Sequence, residues 1–284
     1  MAIPNPPEET NLNADQMSDE ASPRSEPTRT PLARPADEAR STAPATAAVI
    51  PAAGRGVRLG PGAPKALRTL DGTPMLIHAV RAMAASRAVS LVVVVAPADG
   101  VDEVKTLLDD HLPASRAELL VVPGGDTRQE SVRAGLEALP PGIGSVLVHD
   151  AARPLVPVDT VDAVVEAQRA GAPAVVPALP LADTVKEVEP GAPGAAEPVV
   201  ATPVRSRLRA VQTPQGFDRA VLQRAHGAVA LNGEGATDDA GMVEQLGHPV
   251  VVVPGHEEAF KVTRPLDLVL AEAVLARRRT DDGF

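Results

Sequence analysis

The sequence predicts an α/β fold organised around a mostly parallel sheet, and three observations carry that expectation. Short valine-rich runs bounded by glycine and proline, such as Leu91-Val92-Val93-Val94-Val95-Ala96, are continuous rather than alternating, as in strands buried on both faces. Between the runs lie patterned stretches of ten to twelve residues, the length of a crossover helix. The first apolar run, Ala47-Ala48-Val49-Ile50, opens into a loop that holds Gly54, Gly56, Gly60 and Gly62 together with Arg55, Arg58 and Lys65. A strand followed by a basic, glycine-rich loop is how α/β proteins build phosphate sites, with backbone N–H groups approaching the oxygens and cations balancing their charge.

In chain order, residues 1–46 carry eight Pro, eight acidic and four basic residues without a helical or strand period, and are expected to be a disordered tail. A single Rossmann-like domain is expected over 47–279, with strands at 49–53, 91–96, 119–122, 146–150 and 174–177. Helices are expected at 75–86, 101–110, 128–138 and 159–170. The alternation loosens over 179–208, where a Pro/Gly/Ala stretch at 190–198 separates two short extended pieces; this reads as a projecting hairpin arm with a long tip. A strand at 210–212, helices at 218–230 and near 239–246, a strand at 250–254 and a helix at 265–278 complete the expectation. Ligands in such sheets sit beyond the carboxyl ends of the strands.

Composition narrows the function. The 284 residues have a formal net charge of −10, which argues against non-specific nucleic-acid or membrane binding. The absence of cysteine rules out disulfides, thiol nucleophiles and Cys-ligated zinc and fits a cytoplasmic location. With no Trp or Tyr and three Phe, aromatic stacking on a base is nearly unavailable. The first ten residues contain Glu8 and Glu9 and lack the apolar core of a signal peptide, and the longest apolar run, 91–97, is too short to span a bilayer.

Five constellations carry the chemistry. Arg58 and Lys65 flank the first loop, as charge stabilisers for phosphoryl chemistry or as solvated surface charges. Gly124-Gly125-Asp126-Thr127-Arg128-Gln129-Glu130-Ser131 ends a strand and caps a helix through Asp126 or Thr127. In His149-Asp150-Ala151-Ala152-Arg153, the Asp150 carboxylate stands at a strand's carboxyl end, where it can hold Mg²⁺ or pair with Arg153; His149 reads as a satisfied core residue. Arg205, Arg207 and Arg209 alternate as if on one strand face beyond Asp183-Thr184, and are followed by Thr213-Pro214-Gln215. Thr237 reads as a helix N-cap, and Lys261 precedes a helix start at Arg264-Pro265.

Pro51-Ala52-Ala53-Gly54-x-Gly56-x-Arg58-Leu59, with Pro64-Lys65 following, resembles the signature loop of the sugar nucleotidyltransferases, and within them the 2-C-methyl-D-erythritol 4-phosphate cytidylyltransferase family. The resemblance runs from about residue 47 to 276. It implies a nucleotidyltransferase domain that uses CTP, a polyol phosphate and Mg²⁺, and a homodimer formed through the arm. It further implies catalytic roles for Arg58, Lys65, Arg205 and Lys261, and nucleotide contacts by Ala52, Ala53, Gly54, Gly56, Gly125, Asp126, Ser131, Asp150, Ala151 and Arg153. Thr184, Thr213 and Thr237 are implied to line the acceptor pocket, and Asp150 to contact the metal. The family commonly has Asn two residues before the lysine, where this chain has Ala259. A cytidylyltransferase for another polyol phosphate such as ribitol 5-phosphate, a nucleotidyltransferase for another base, and a non-catalytic nucleotide-binding module are the alternatives.

Overall fold

A computed structural model describes residues 45–54, 64–228 and 238–281. Strand β1 (Ala45–Pro51) runs at the centre of the main sheet. The segment carrying Gly56 and Arg58 lies outside the described residues, as do Thr237 and nearly all of the expected tail. The exceptions at the tail's end correct its boundary: Ala45 and Thr46 belong to β1, and Thr46 is buried.

After β1, Asp71 and Gly72 take positive φ (50° and 74°) and join the short strands β2 (Thr69–Leu70) and β3 (Thr73–Pro74) into a tight hairpin. Then follow α1 (Met75–Ala85), β4 (Val89–Ala96), α2 (Val101–His111), β5 (Glu118–Pro123), α3 (Arg128–Glu137), β6 (Ile143–Val148), α4 (Val158–Arg169) and β7 (Ala174–Pro180). Strands β6, β1, β4 and β5 pair in parallel in that order, so α1, α2 and α3 are crossovers of the expected kind.

The sheet's inner strands are buried on both sides, and their alternating side chains divide between two cores. Ala48, Ile50, Val92 and Val94 pack with α1, α2 and α4 on one face. Ala47, Val49, Val93 and Val95 pack with α3 and the later helices on the other. At about 25 cal/mol per Å² of buried apolar area, such two-sided burial is the main stabilising contribution in a chain with so few aromatics.

Beyond β7 lie β8 (Glu187–Val188) and β9 (Val199–Ala201), which form a separate two-stranded antiparallel sheet within the expected arm. Arg205–Arg207 is a turn of 3₁₀ helix, which corrects the reading of three arginines along one strand; only Arg209 enters β10 (Arg209–Val211). Strand β11 (Gln215–Asp218) was not anticipated, because Gln-Gly-Phe-Asp has none of the valine signal; it wedges antiparallel between β6 and β7. Helix α5 (Arg219–Ala228) and helix α6 (Asp239–Gln245) follow. The cap of α6 is Asp238, whose side chain accepts from Gly241 N–H, so the cap assigned to Thr237 is corrected by one residue. Strand β12 (Val251–Pro254) pairs in parallel with β7, and α7 (Pro265–Asp281) closes the chain with its start held by Asp267.

Candidate active site

Loops at the carboxyl ends of β1, β5 and β6 meet around a cavity of about 240 Å³. Ala52, Ala53, Gly54 and Lys65 form one wall, Gly125, Asp126 and Ser131 a second, and Asp150, Ala151 and Lys261 a third. These are ten of the residues expected at the site. The first two walls pack closely, since a Cβ on Gly124 would lie 2.8 Å from Ser131 Oγ and 2.9 Å from Ala53 Cβ.

The second wall is set by a complete capping box. Thr127 Oγ1 accepts from Glu130 N–H (3.1 Å), while Glu130 Oε2 accepts from Thr127 N–H (2.8 Å). Ser131, one residue on, is buried and gives its hydroxyl proton to Thr127 O at 3.0 Å. Gly125 O, at 3.4 Å, is a second acceptor within reach of the same hydroxyl.

Asp150 is paired on both oxygens. Lys261 Nζ lies 2.6 Å from Oδ2 and Arg128 Nε 3.2 Å from Oδ1. Burial alone would favour the neutral acid, but Arg128 and Lys261 outweigh it and hold the carboxyl well below the usual carboxylate range. The alternative pairing with Arg153 is not formed: that guanidinium turns away from the cavity and donates to Ala259 O (2.6 Å) and Val211 O (3.2 Å). Arg153 therefore acts from behind the wall, on the segment leading to Lys261.

Arg128 was given no role by the sequence. Its Nη1 also lies 2.7 Å from Oδ2 of Asp239, which is fully buried and pairs through Oδ1 with His226 (2.9 Å). One guanidinium thus joins a site carboxylate to a carboxylate inside the domain. Although burial opposes its charge, Asp239 and then Asp150 raise its pKa. A signal was present in the sequence: Arg128 is the first residue of a helix, where the dipole disfavours a cation. A cation kept there implies carboxylate partners.

Thr213 is likewise behind the cavity. Its hydroxyl accepts from Asp150 N–H (3.0 Å) and donates to His149 Nδ1 (3.1 Å), while His149 Nε2–H donates to Arg153 O (3.1 Å). Both imidazole nitrogens are used by the neutral ring, and burial pushes its pKa down to about 4. His149 is the satisfied core residue expected. Because the unfolded chain binds this proton near pH 6.5 and the folded chain only near 4, stability should fall as pH drops between those values, by up to about 3 kcal/mol. Urea midpoints across that window check this; His149→Asn should flatten the slope, and an unchanged slope would assign it elsewhere.

Thr184 and Arg205 are exposed and do not line this cavity, and Arg205 Nη1 donates to Ala182 O of its own chain. Gln215 of Thr-Pro-Gln holds the start of α6, donating to Asp238 Oδ2 (2.6 Å) and accepting from Ala240 N–H (3.2 Å).

A mostly parallel α/β sheet with a glycine-walled, lysine-bearing cavity at its strand ends has the features of a nucleotide-phosphate site. The profile of the family described as IspD, 2-C-methyl-D-erythritol 4-phosphate cytidylyltransferase, matches residues 46–277, and the chain belongs to that family. A 2-C-methyl-D-erythritol 4-phosphate cytidylyltransferase of Streptomyces coelicolor is 80% identical over 240 residues, covering 84% of this chain and 88% of the relative. One from Frankia casuarinae is 55% identical over 234 residues, 82% of each chain. Among solved structures, the cytidylyltransferase of that name from Thermus thermophilus superposes with a TM-score of 0.63 at 38% identity, covering 81% of this chain and 98% of that one.

Proposed function

We propose that this chain transfers the CMP group of CTP to 2-C-methyl-D-erythritol 4-phosphate, giving 4-diphosphocytidyl-2-C-methyl-D-erythritol and pyrophosphate in non-mevalonate isoprenoid precursor synthesis. The observation that carries the reading is family membership over 46–277, and the meeting of Lys65, Asp150 and Lys261 on one cavity supports it. A phosphate oxygen of the acceptor attacks the α-phosphorus of CTP. The bond from that phosphorus to pyrophosphate breaks, and pyrophosphate leaves with the electron pair. The acceptor phosphate dianion is already nucleophilic near neutral pH, so the reaction needs no general base.

Lys65 and Arg58 supply positive charge where negative charge builds on the non-bridging oxygens and the leaving pyrophosphate. Lys261 and Arg205 orient the acceptor phosphate. The backbone at Gly125 and Asp126 and the hydroxyl of Ser131 read the cytosine edge. Cytosine and uracil differ at the exocyclic amino donor, so a site that pairs with that donor rejects the carbonyl of uracil.

A Mg²⁺ ion arriving with CTP fits this donor set. Such ions are held by one or two carboxylates plus substrate phosphates, and Asp150 on the cavity would hold one by sharing oxygens that it now gives to Lys261 and Arg128. Among the described residues there is no group of three or more His, Cys, Asp and Glu placed to hold a metal ion. Bound with the triphosphate, Mg²⁺ would neutralise charge on its oxygens.

The working form is a homodimer in the cytoplasm, with the 179–208 arm crossing to its partner. Exposed Val199, Val200 and Val204 on the arm support this as apolar surface that a second subunit would cover. No described helix is long and apolar enough to cross a membrane.

Incubation with CTP and each polyol phosphate, with pyrophosphate release measured, tests the reading. Rapid release with 2-C-methyl-D-erythritol 4-phosphate is expected, with little for ribitol 5-phosphate or UTP and loss on adding EDTA. Faster release with ribitol 5-phosphate would move the acceptor to the sibling class, and no release with any acceptor would leave a nucleotide-binding module.

A further inference from the structure

Gln212 follows β10 and is 5% exposed. Its side-chain amide clasps one residue of the segment that leads to Lys261. Nε2 donates to His256 O (2.9 Å), and Oε1 accepts from His256 N–H (3.0 Å). Gln212 is itself pinned to β7, its N–H donating to Pro177 O at 2.8 Å. The clasp requires glycine beside it: a Cβ on Gly255 would lie 2.4 Å from Gln212 Oε1 and 3.1 Å from the Ala178 backbone.

The neighbouring residue reaches the other pole of the site. Thr213 Oγ1 accepts from Asp150 N–H at 3.0 Å, and Asp150 Oδ2 meets Lys261 Nζ at 2.6 Å. Two consecutive residues thus bond to the segments that carry the two ends of one ion pair on the third wall, Thr213 at Asp150 itself and Gln212 at His256, on the segment that leads to Lys261. Further along that segment, Arg153 holds Ala259 O and Ala152 O accepts from Val262 N–H (2.8 Å). The wall where the family commonly has Asn is therefore fixed here through backbone groups.

We propose that Gln212 is a positioning residue for Lys261. A lysine stem is flexible, so where its ammonium can reach is set by the backbone that carries it, and small displacements at a reacting centre are costly. A purely packing role would be served by an apolar side chain of similar volume. It would not need an amide whose donor and acceptor both meet one residue's backbone. His256 O also accepts from Ala259 N–H (3.0 Å), so removing the clasp leaves that carbonyl partnered and frees only the His256 N–H.

The inference rests on the reading that Lys261 orients the acceptor phosphate, and a double-mutant cycle separates the two claims. Gln212→Leu, Lys261→Ala and the double variant are assayed in the full chain for acceptor KM, CTP KM and kcat. Gln212→Leu should raise acceptor KM about tenfold while CTP KM stays within about twofold. In the Lys261→Ala background the same substitution should have no further effect. Effects that multiply in the double variant, or a lowered melting temperature with unchanged kinetics, would overturn the positioning role. If Lys261→Ala alone had wild-type kinetics, the reading of Lys261 would fall, and the role of Gln212 with it. Should Gln212→Leu not fold, Gly255→Ala enters the cycle in its place, because it displaces the same clasp from the other side and predicts the same non-additivity.

Discussion

Arg128→Met should lower folding stability by about 3 kcal/mol at neutral pH, the scale of removing one partner from a buried ion pair. The cost falls on Asp239. Its side chain is fully buried, and Oδ2 accepts no well-aligned hydrogen bond, so the Arg128 charge at 2.7 Å is what neutralises that oxygen among the described residues. Burial pushes the carboxyl of Asp239 towards neutrality, but Arg128 and then His226 hold it low. The sign of the pH dependence follows. A carboxylate with a depressed folded pKa contributes stability above its unfolded value near 4 and loses it as pH falls through the folded value. The gap between wild type and variant should therefore be widest at neutral pH and close in acid. Arg128→Lys should recover only part of it, since an ammonium cannot fork between Asp150 and Asp239. Urea titrations at several pH values measure this, and a gap below about 1 kcal/mol that ignores pH would show that the bridge is no more than a surface pair.

How much of this could be read from the sequence depended on whether the signal was local. The valine runs and the crossover helices were legible because burial on two faces leaves a mark in the chain itself, as at Val92-Val93-Val94-Val95. The 124–131 capping turn and Asp150 at a strand end were legible for the same reason, and Lys65, Asp126, Asp150 and Lys261 line one cavity. Strand β11 was not, because its partners β6 and β7 lie far off in sequence and supply the burial that its own residues do not advertise. The alternation of Arg205, Arg207 and Arg209 suggested a strand face; the chain instead turns through a 3₁₀ helix, and nothing in an alternating pattern of exposed residues distinguishes the two. Roles behind the cavity were the least legible. Arg153 and Thr213 came with expected contacts to substrate, yet here they bond to the backbone of segments that bear Lys261 and Asp150. Arg128 and Gln212 depend on partners brought together only by the sheet.

Mixing two inactive variants should restore activity if the site is shared between subunits. Lys65 lines the cavity, whereas Arg205 is exposed and does not line it. In the proposed dimer, the arm carries Arg205 to the partner's cavity, so each site takes Lys65 from one chain and Arg205 from the other. Lys65→Ala should lower kcat by roughly a hundredfold or more, the scale of losing one donor to developing charge, and Arg205→Ala should be similarly impaired. Under conditions of subunit exchange, about half of the dimers in an equal mixture carry one chain of each kind. In each mixed dimer, one site receives both wild-type residues and the other neither, so roughly a quarter of wild-type activity should return. If Arg205 instead served the cavity of its own chain, every site in the mixture would lack one residue and no activity would return. Exchange confirmed by mass, with no recovery of pyrophosphate release, would therefore remove the shared site while leaving the charge role of Lys65 standing on its own variant.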